Sequence, residues 1–156
     1  MLSATTDIPP KATKNKKAQK FVKYLTKNQI SNEDLPIYYN DSGHALIVMN
    51  DRMDSTGYPY NWEVIFNPAQ EVVVVKAAKI VEKIQNDLIY HVLEIINEKN
   101  KAVLWGKFFL HNNSIYMMAP LISPKNKLKP AYILQVIQAM RQSIEEIHSE
   151  TMKVFL

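Results

Sequence analysis

The chain has 156 residues, 47% of them apolar and 22% charged, a balance that fits one globular domain burying roughly 68–70% of its unfolded surface. It has no cysteine, which excludes disulfides, thiolate metal sites and cysteine nucleophiles and fits a reducing, cytoplasmic location. The formal charge of +4 is unevenly placed: residues 1–30 hold seven lysines against Asp7, giving +6, and the remaining residues sum to −2.

No apolar run approaches the ~20 residues that cross a bilayer, so no membrane span is expected. Met1–Pro10 lacks the basic and apolar regions of a secretory signal peptide. Residues 1–14 mix Ser, Thr, Pro and Lys without an apolar period, and the reading is a disordered basic tail ahead of a single domain over 15–156.

Ala18, Phe21, Val22 and Leu25 recur at i, i+3, i+4, i+7. They predict a helix from near Asn15 to about Asn28. Lys16, Lys20, Lys23 and Lys27 fall on its other side and are the candidate anion-binding residues. Such a lysine face serves solubility, or meets phosphate, anionic lipid or an acidic protein. The absence of arginine argues against bidentate reading of guanine or phosphate.

Residues 44–50 form a short apolar strand after the turn-like Asn40-Asp41-Ser42-Gly43. Tyr58, Tyr60, Trp62, Val64 and Phe66 then alternate with Pro59, Asn61, Glu63, Ile65 and Asn67. That period of two marks a strand packed on one face and wet on the other. Its aromatic row could serve as a base-stacking platform. The wet positions Asn61 and Glu63 are not basic, however, and a one-faced sheet needs large side chains for its core. Asn67-Pro68-Ala69-Gln70 predicts a type I turn into the strand Val72–Val75.

From about Ala77 the stripe Val81, Ile84, Leu88, Val92, Ile95 predicts a second helix, expected to be the most buried one. Strands over 102–110 and 114–119 follow, joined through His111-Asn112-Asn113-Ser114, where asparagines tolerate the positive φ of a tight hairpin. Pro130 suits the first turn of a closing helix whose stripe is Ile133, Ile137, Met140, Ile144 and Ile147. The order α-β-β-β-α-β-β-α gives an α+β fold with an antiparallel sheet covered by helices.

Signals for chemistry are weak. Three scattered glycines, Gly43, Gly57 and Gly106, make neither a P-loop nor a dinucleotide fingerprint, and no Gly-x-Ser-x-Gly elbow occurs. His91 with Glu94, and Glu145 with His148, stand one helical turn apart as in di-iron bundles. A strand-rich chain does not supply the four helices such sites draw on, so these read as surface residues. Asp51 and Asp54 share a polar loop and read as a turn. No catalytic residue, metal or cofactor is expected, and the chain is read as a non-enzyme.

Asn97-Glu98-Lys99-Asn100, then Gly106-Lys107-Phe108-Phe109-Leu110, a polar turn, Ile115, Leu121 and the long last helix carry a resemblance. Over residues 97–147 the chain resembles the YbjN family of bacterial sensory-transduction regulators, and its element order is similar to that of type III secretion chaperones of the Tir-chaperone kind. The resemblance implies a helix-on-sheet domain, commonly dimeric, that binds another protein and does no chemistry. The expected function is therefore a protein-binding module, chaperone-like or adaptor-like, holding an extended partner segment. The alternative is a nucleic-acid-associated regulator using the lysines. The candidate partner-binding residues are Trp105, Phe109 and Met117, with Ile137, Met140 and Ile144 on the closing helix. A homodimer is expected, because one helical layer cannot cover apolar groups on both faces of the strand carrying Leu104, Trp105, Phe108 and Phe109.

Overall fold

The computed structural model describes residues 3–4, 14–122 and 128–155. Its elements are β1 (Ser3–Ala4), α1 (Lys16–Lys27), β2 (Tyr38–Tyr39), β3 (Ala45–Arg52), β4 (Pro59–Phe66), β5 (Val72–Val81), a 3₁₀ turn (Asn86–Leu88), α2 (Ile89–Ala102), β6 (Lys107–His111), β7 (Ser114–Ile122) and α3 (Pro130–Phe155). The architecture is α+β: an antiparallel sheet in the order β1-β2-β3-β4-β5-β7-β6, with three helices. Among the described residues, no helix is long and apolar enough to cross a membrane.

Two compact units divide the chain, one of Met1–Val48, Glu63–Val75 and Pro120–Leu134, the other of Met49–Trp62, Lys76–Ala119 and Gln135–Leu156. In the first, Asn15 caps α1, its Oδ1 accepting the Ala18 N–H at 3.0 Å, as a capping asparagine does. The same side chain donates to the Asn67 carbonyl at 3.0 Å, and Phe21 packs on Phe66 with ring centroids 6.0 Å apart. Ala18, Phe21, Val22 and Leu25 are buried, as their spacing predicts. The turn at Asn67 closes through Gln70 N–H to Asn67 O at 3.0 Å. Asn67 Oδ1 accepts the Glu71 and Val72 N–H groups as well, starting β5.

In the second unit Tyr60 and Trp62 of β4 are buried at 4% and 2% exposure, so Trp62 is a packing residue. Asn112 and Asn113 take φ of 49° and 57°, the conformation of a type I′ hairpin between β6 and β7. From residue 135 onward α3 buries Val136, Ile137, Met140, Ile144 and Ile147 together with His148 and Thr151.

Within the span expected as a tail, β1 pairs with β2 through Ser3↔Tyr39 and Ala4↔Tyr38; residues 1–2 and 5–13 lie outside the described residues. Several other expectations are corrected. β2 has no sequence counterpart, since a two-residue strand is too short to show a period. No helix begins at Ala77. Residues up to Val81 continue β5, which kinks where Ala77 and Ala78 are both buried and Lys79 turns to φ 60°. Val81 and Ile84 are buried as strand end and connection, and Ile84 N–H donates to the Asn113 carbonyl at 2.9 Å. α2 starts only at Ile89 and buries Val92 and Ile96 alone, so α3 is the helix with the larger buried stripe. β6 starts at Lys107 and not at 102, because α2 runs to Ala102.

Candidate partner-binding surface

The register Phe108↔Met117 and Leu110↔Ile115 puts these four residues on one face of the β6–β7 hairpin, and Lys107↔Met118 and Phe109↔Tyr116 on the other. The first face is interior: Phe108, Ile115 and Met117 are all at most 3% exposed. On the second, Phe109 and Tyr116 stack at 5.4 Å and 17°. His111 meets Tyr116 edge-on at 6.0 Å, and Lys76 Nζ lies 4.9 Å from the centre of the Tyr116 ring, a cation–π contact. Met118 is 42% exposed.

The connection into this hairpin is apolar and passes close to β7. Leu104 is 93% exposed and Trp105 40%. Gly106 has φ +74°, and a Cβ on it would stand 2.6 Å from the Met118 carbonyl oxygen, so the backbone passes where only glycine fits. Lys107 Nζ donates to the Asn100 and Val103 carbonyls at 2.7 and 3.2 Å, satisfying carbonyl groups left over at the end of α2.

Of the residues singled out from the sequence, Trp105 and Phe109 stand at this surface. Met117, Ile137, Met140 and Ile144 do not: they are 0–5% exposed and fill the interior. The closing-helix stripe therefore gives no ground for self-association, since the chain's own core covers it. The exposed methionine is Met118, one residue on from Met117; the period of β7 decides which of the two faces out. Lys16, Lys20, Lys23 and Lys27 are all exposed along α1.

A second cluster gathers on Asp51. Its Oδ2 accepts the Tyr60 hydroxyl and the Trp62 Nε1–H, each at 2.9 Å, and pairs with Arg141 Nε at 3.2 Å. Its Oδ1 accepts the Arg52 N–H at 2.8 Å and Arg141 Nη2 at 3.3 Å. Burial alone would raise the Asp51 pKa. The hydrogen bonds from Trp62, Arg52 and Tyr60 and the Arg141 charge outweigh it and hold the carboxyl below its ordinary value. Burial pushes the Tyr60 phenol well up. Both oxygens of this carboxylate are thus occupied, and the bonds tie the end of β3 to Tyr60 and Trp62 of β4 and to Arg141 of α3.

Arg141 also pairs with Asp54 at 3.2 Å. Glu145 accepts from the Asp54 N–H and from Ser55 Oγ, the latter at 2.9 Å. His148 is not a surface residue but is buried, with Nδ1 3.0 Å from the Ile80 carbonyl and Nε2 3.4 Å from Thr56 Oγ1. The loop between β3 and β4 is thus bound to α3 by side chains that the sequence places 87 to 92 positions away. Among the described residues, no group of three or more potential ligands is placed to hold a metal ion.

No protein-family model matches the chain, and no curated protein matches it.

Proposed function

We propose that the chain is a non-catalytic protein-binding module, chaperone-like or adaptor-like, that holds a segment of a partner polypeptide. The observation that carries this reading is the exposure of Leu104, Trp105 and Met118 around a connection that passes close to β7 at Gly106 and is tied to the end of α2 by Lys107. Large apolar groups exposed to water on a backbone already held in place are what binding hot spots are made of, because less ordering entropy is left to lose. The stacked Phe109–Tyr116 pair extends the same hairpin face. The resemblance of residues 97–147 to the YbjN family, and of the element order to type III secretion chaperones, is what suggests this kind of function. A homodimer would use this surface too, and a cytoplasmic location suits a chain without cysteine.

The test is site-specific photocrosslinking from position 104 in the native host, with the adduct identified by mass spectrometry. One discrete adduct that disappears in Trp105→Ala/Met118→Ser, while the variant melts like the wild type, is the expected result. No adduct, or adducts unaffected by the double substitution, would end the proposal for this surface.

A further inference from the structure

Helix α1 is built against its own electrostatics. Lys16 and Lys17 occupy its first two positions and its first turn contains no acid, although the unpaired N–H groups there favour negative charge. At about 100° per residue, Lys16, Lys20, Lys23 and Lys27 fall within about 60° of one another. Neighbours along this row are four, three and four residues apart, spacings at which like charges destabilise a helix. All four are exposed, and none makes an ion pair among the described residues. Glutamate in the first turn would keep the face wet and stabilise the helix, so folding does not call for this row.

The row is also fixed in place. Asn15 N–H donates to the Tyr39 hydroxyl at 3.1 Å and Lys17 N–H to Gln70 Oε1 at 3.2 Å. The opposite face, Ala18, Phe21, Val22 and Leu25, is at most 5% exposed. The helix therefore carries the four lysines on fixed backbone positions along a row about 16.5 Å long. Since α1 buries its apolar face in the protein, it has none to lay into a bilayer, and an anionic membrane would hold it by charge alone. A duplex presents phosphate continuously along a line.

From this we infer that the Lys16–Lys20–Lys23–Lys27 row binds the phosphate backbone of double-stranded nucleic acid, without reading sequence. Lysines give point contacts to phosphate, so affinity is electrostatic and specificity low. The inference stands apart from the hairpin surface and does not depend on it.

The experiment is fluorescence anisotropy of the full chain with a labelled mixed-sequence DNA duplex of about 20 base pairs, between 50 and 200 mM salt. Four neutralised phosphates give a log–log slope of about −3.6, a loss of affinity of roughly 100-fold over that range. Lys20→Gln/Lys23→Gln should flatten the slope by about 2. Lys16→Glu should weaken binding while melting at or above the wild-type temperature, because it corrects the charge at the helix start. Trp105→Ala should bind the duplex as the wild type does, which separates this result from failure of the protein-binding reading. Absence of binding at 50 mM salt would overturn the inference, as would a slope unchanged in the double variant. So would tighter binding to phosphatidylserine vesicles than to the duplex in the same buffer.

Discussion

The side-chain amide of Asn100 closes on both backbone groups of Phe108: Nδ2 donates to the Phe108 carbonyl at 2.9 Å, and Oδ1 accepts the Phe108 N–H at 2.8 Å. β6 is the last strand of the sheet, and with His111↔Ser114 closing the hairpin, Phe108 is one of the residues whose backbone points away from β7. The amide therefore takes the place that a further strand would occupy. An open edge is a template for pairing with other chains, and proteins cover it in ways of this kind. The partner-binding surface proposed above is accordingly the hairpin face and not its edge.

Replacing Asn100 with Ala should uncover that edge. The Phe108 N–H and carbonyl lose their partners, at a cost of about 1–2 kcal/mol for partly buried groups. The open strand should then pair between copies, raising the mass seen by light scattering at micromolar concentration relative to wild type. A variant with wild-type melting temperature and wild-type mass would show that the amide guards nothing.

Trp62 is 2% exposed, meets Tyr60 edge-on at 5.8 Å and donates Nε1–H to Asp51. Trp62→Ala should cost about 3–5 kcal/mol through lost aromatic volume. Trp62→Phe keeps most of the volume and removes the donor, and should cost about 1 kcal/mol. Chemical denaturation of both variants checks the ordering. Equal losses would mean that the indole is held by its hydrogen bond and not by packing.

How much of this was legible in the sequence depended on the range of the deciding interaction. α1 was readable because its four apolar positions and its capping Asn15 are local, and the hairpin because Asn112-Asn113 needs only its own backbone to turn. The helix expected from Ala77 failed because Val81 and Ile84 fit a helical period by spacing alone. What fixes Ile84 is Asn113, which both accepts from its N–H and donates to its carbonyl, a partner 29 positions along that no local window contains. The candidate surface was half legible for a similar reason. Trp105 and Phe109 were found as large apolar groups, whereas choosing Met118 over Met117 required the β6–β7 register. Asn100 sits in the polar run Asn97-Glu98-Lys99-Asn100 and reads there as solvated, so its clamp on β6 left no local signal.

Acid should loosen the β3 end through Asp51. Its folded-state pKa lies below the ordinary carboxylate value of 3.8. The stability it supplies is therefore complete above that value and is lost as pH falls through the folded pKa. Asp51→Asn should be less stable than wild type at pH 7 by about 1–3 kcal/mol, since Arg141, Tyr60 and Trp62 lose a charged acceptor. The gap between the two proteins should close as pH falls from 5 toward 2. Melting curves across that range test it, and a gap independent of pH would assign the loss to shape and not to charge.

Two glycines with almost the same φ separate strain from collision at the candidate surface. Gly57 and Gly106 have φ of +72° and +74°, so alanine at either costs about 1–2 kcal/mol for the left-handed conformation. At Gly57 nothing lies within 4 Å of the added Cβ, and the cost should stop there. At Gly106 the Cβ would meet the Met118 carbonyl oxygen at 2.6 Å and its carbon at 3.0 Å, forcing the start of β6 away from β7. Gly106→Ala should consequently melt several degrees below Gly57→Ala. It should also change the surroundings of Trp105, the residue before Gly106, visible as a change in tryptophan fluorescence in a Trp62→Phe background that Gly57→Ala leaves unchanged. If the two variants melt together and fluoresce alike, the approach of the chain to Met118 is loose, and the apolar corner on which the binding surface rests is not there.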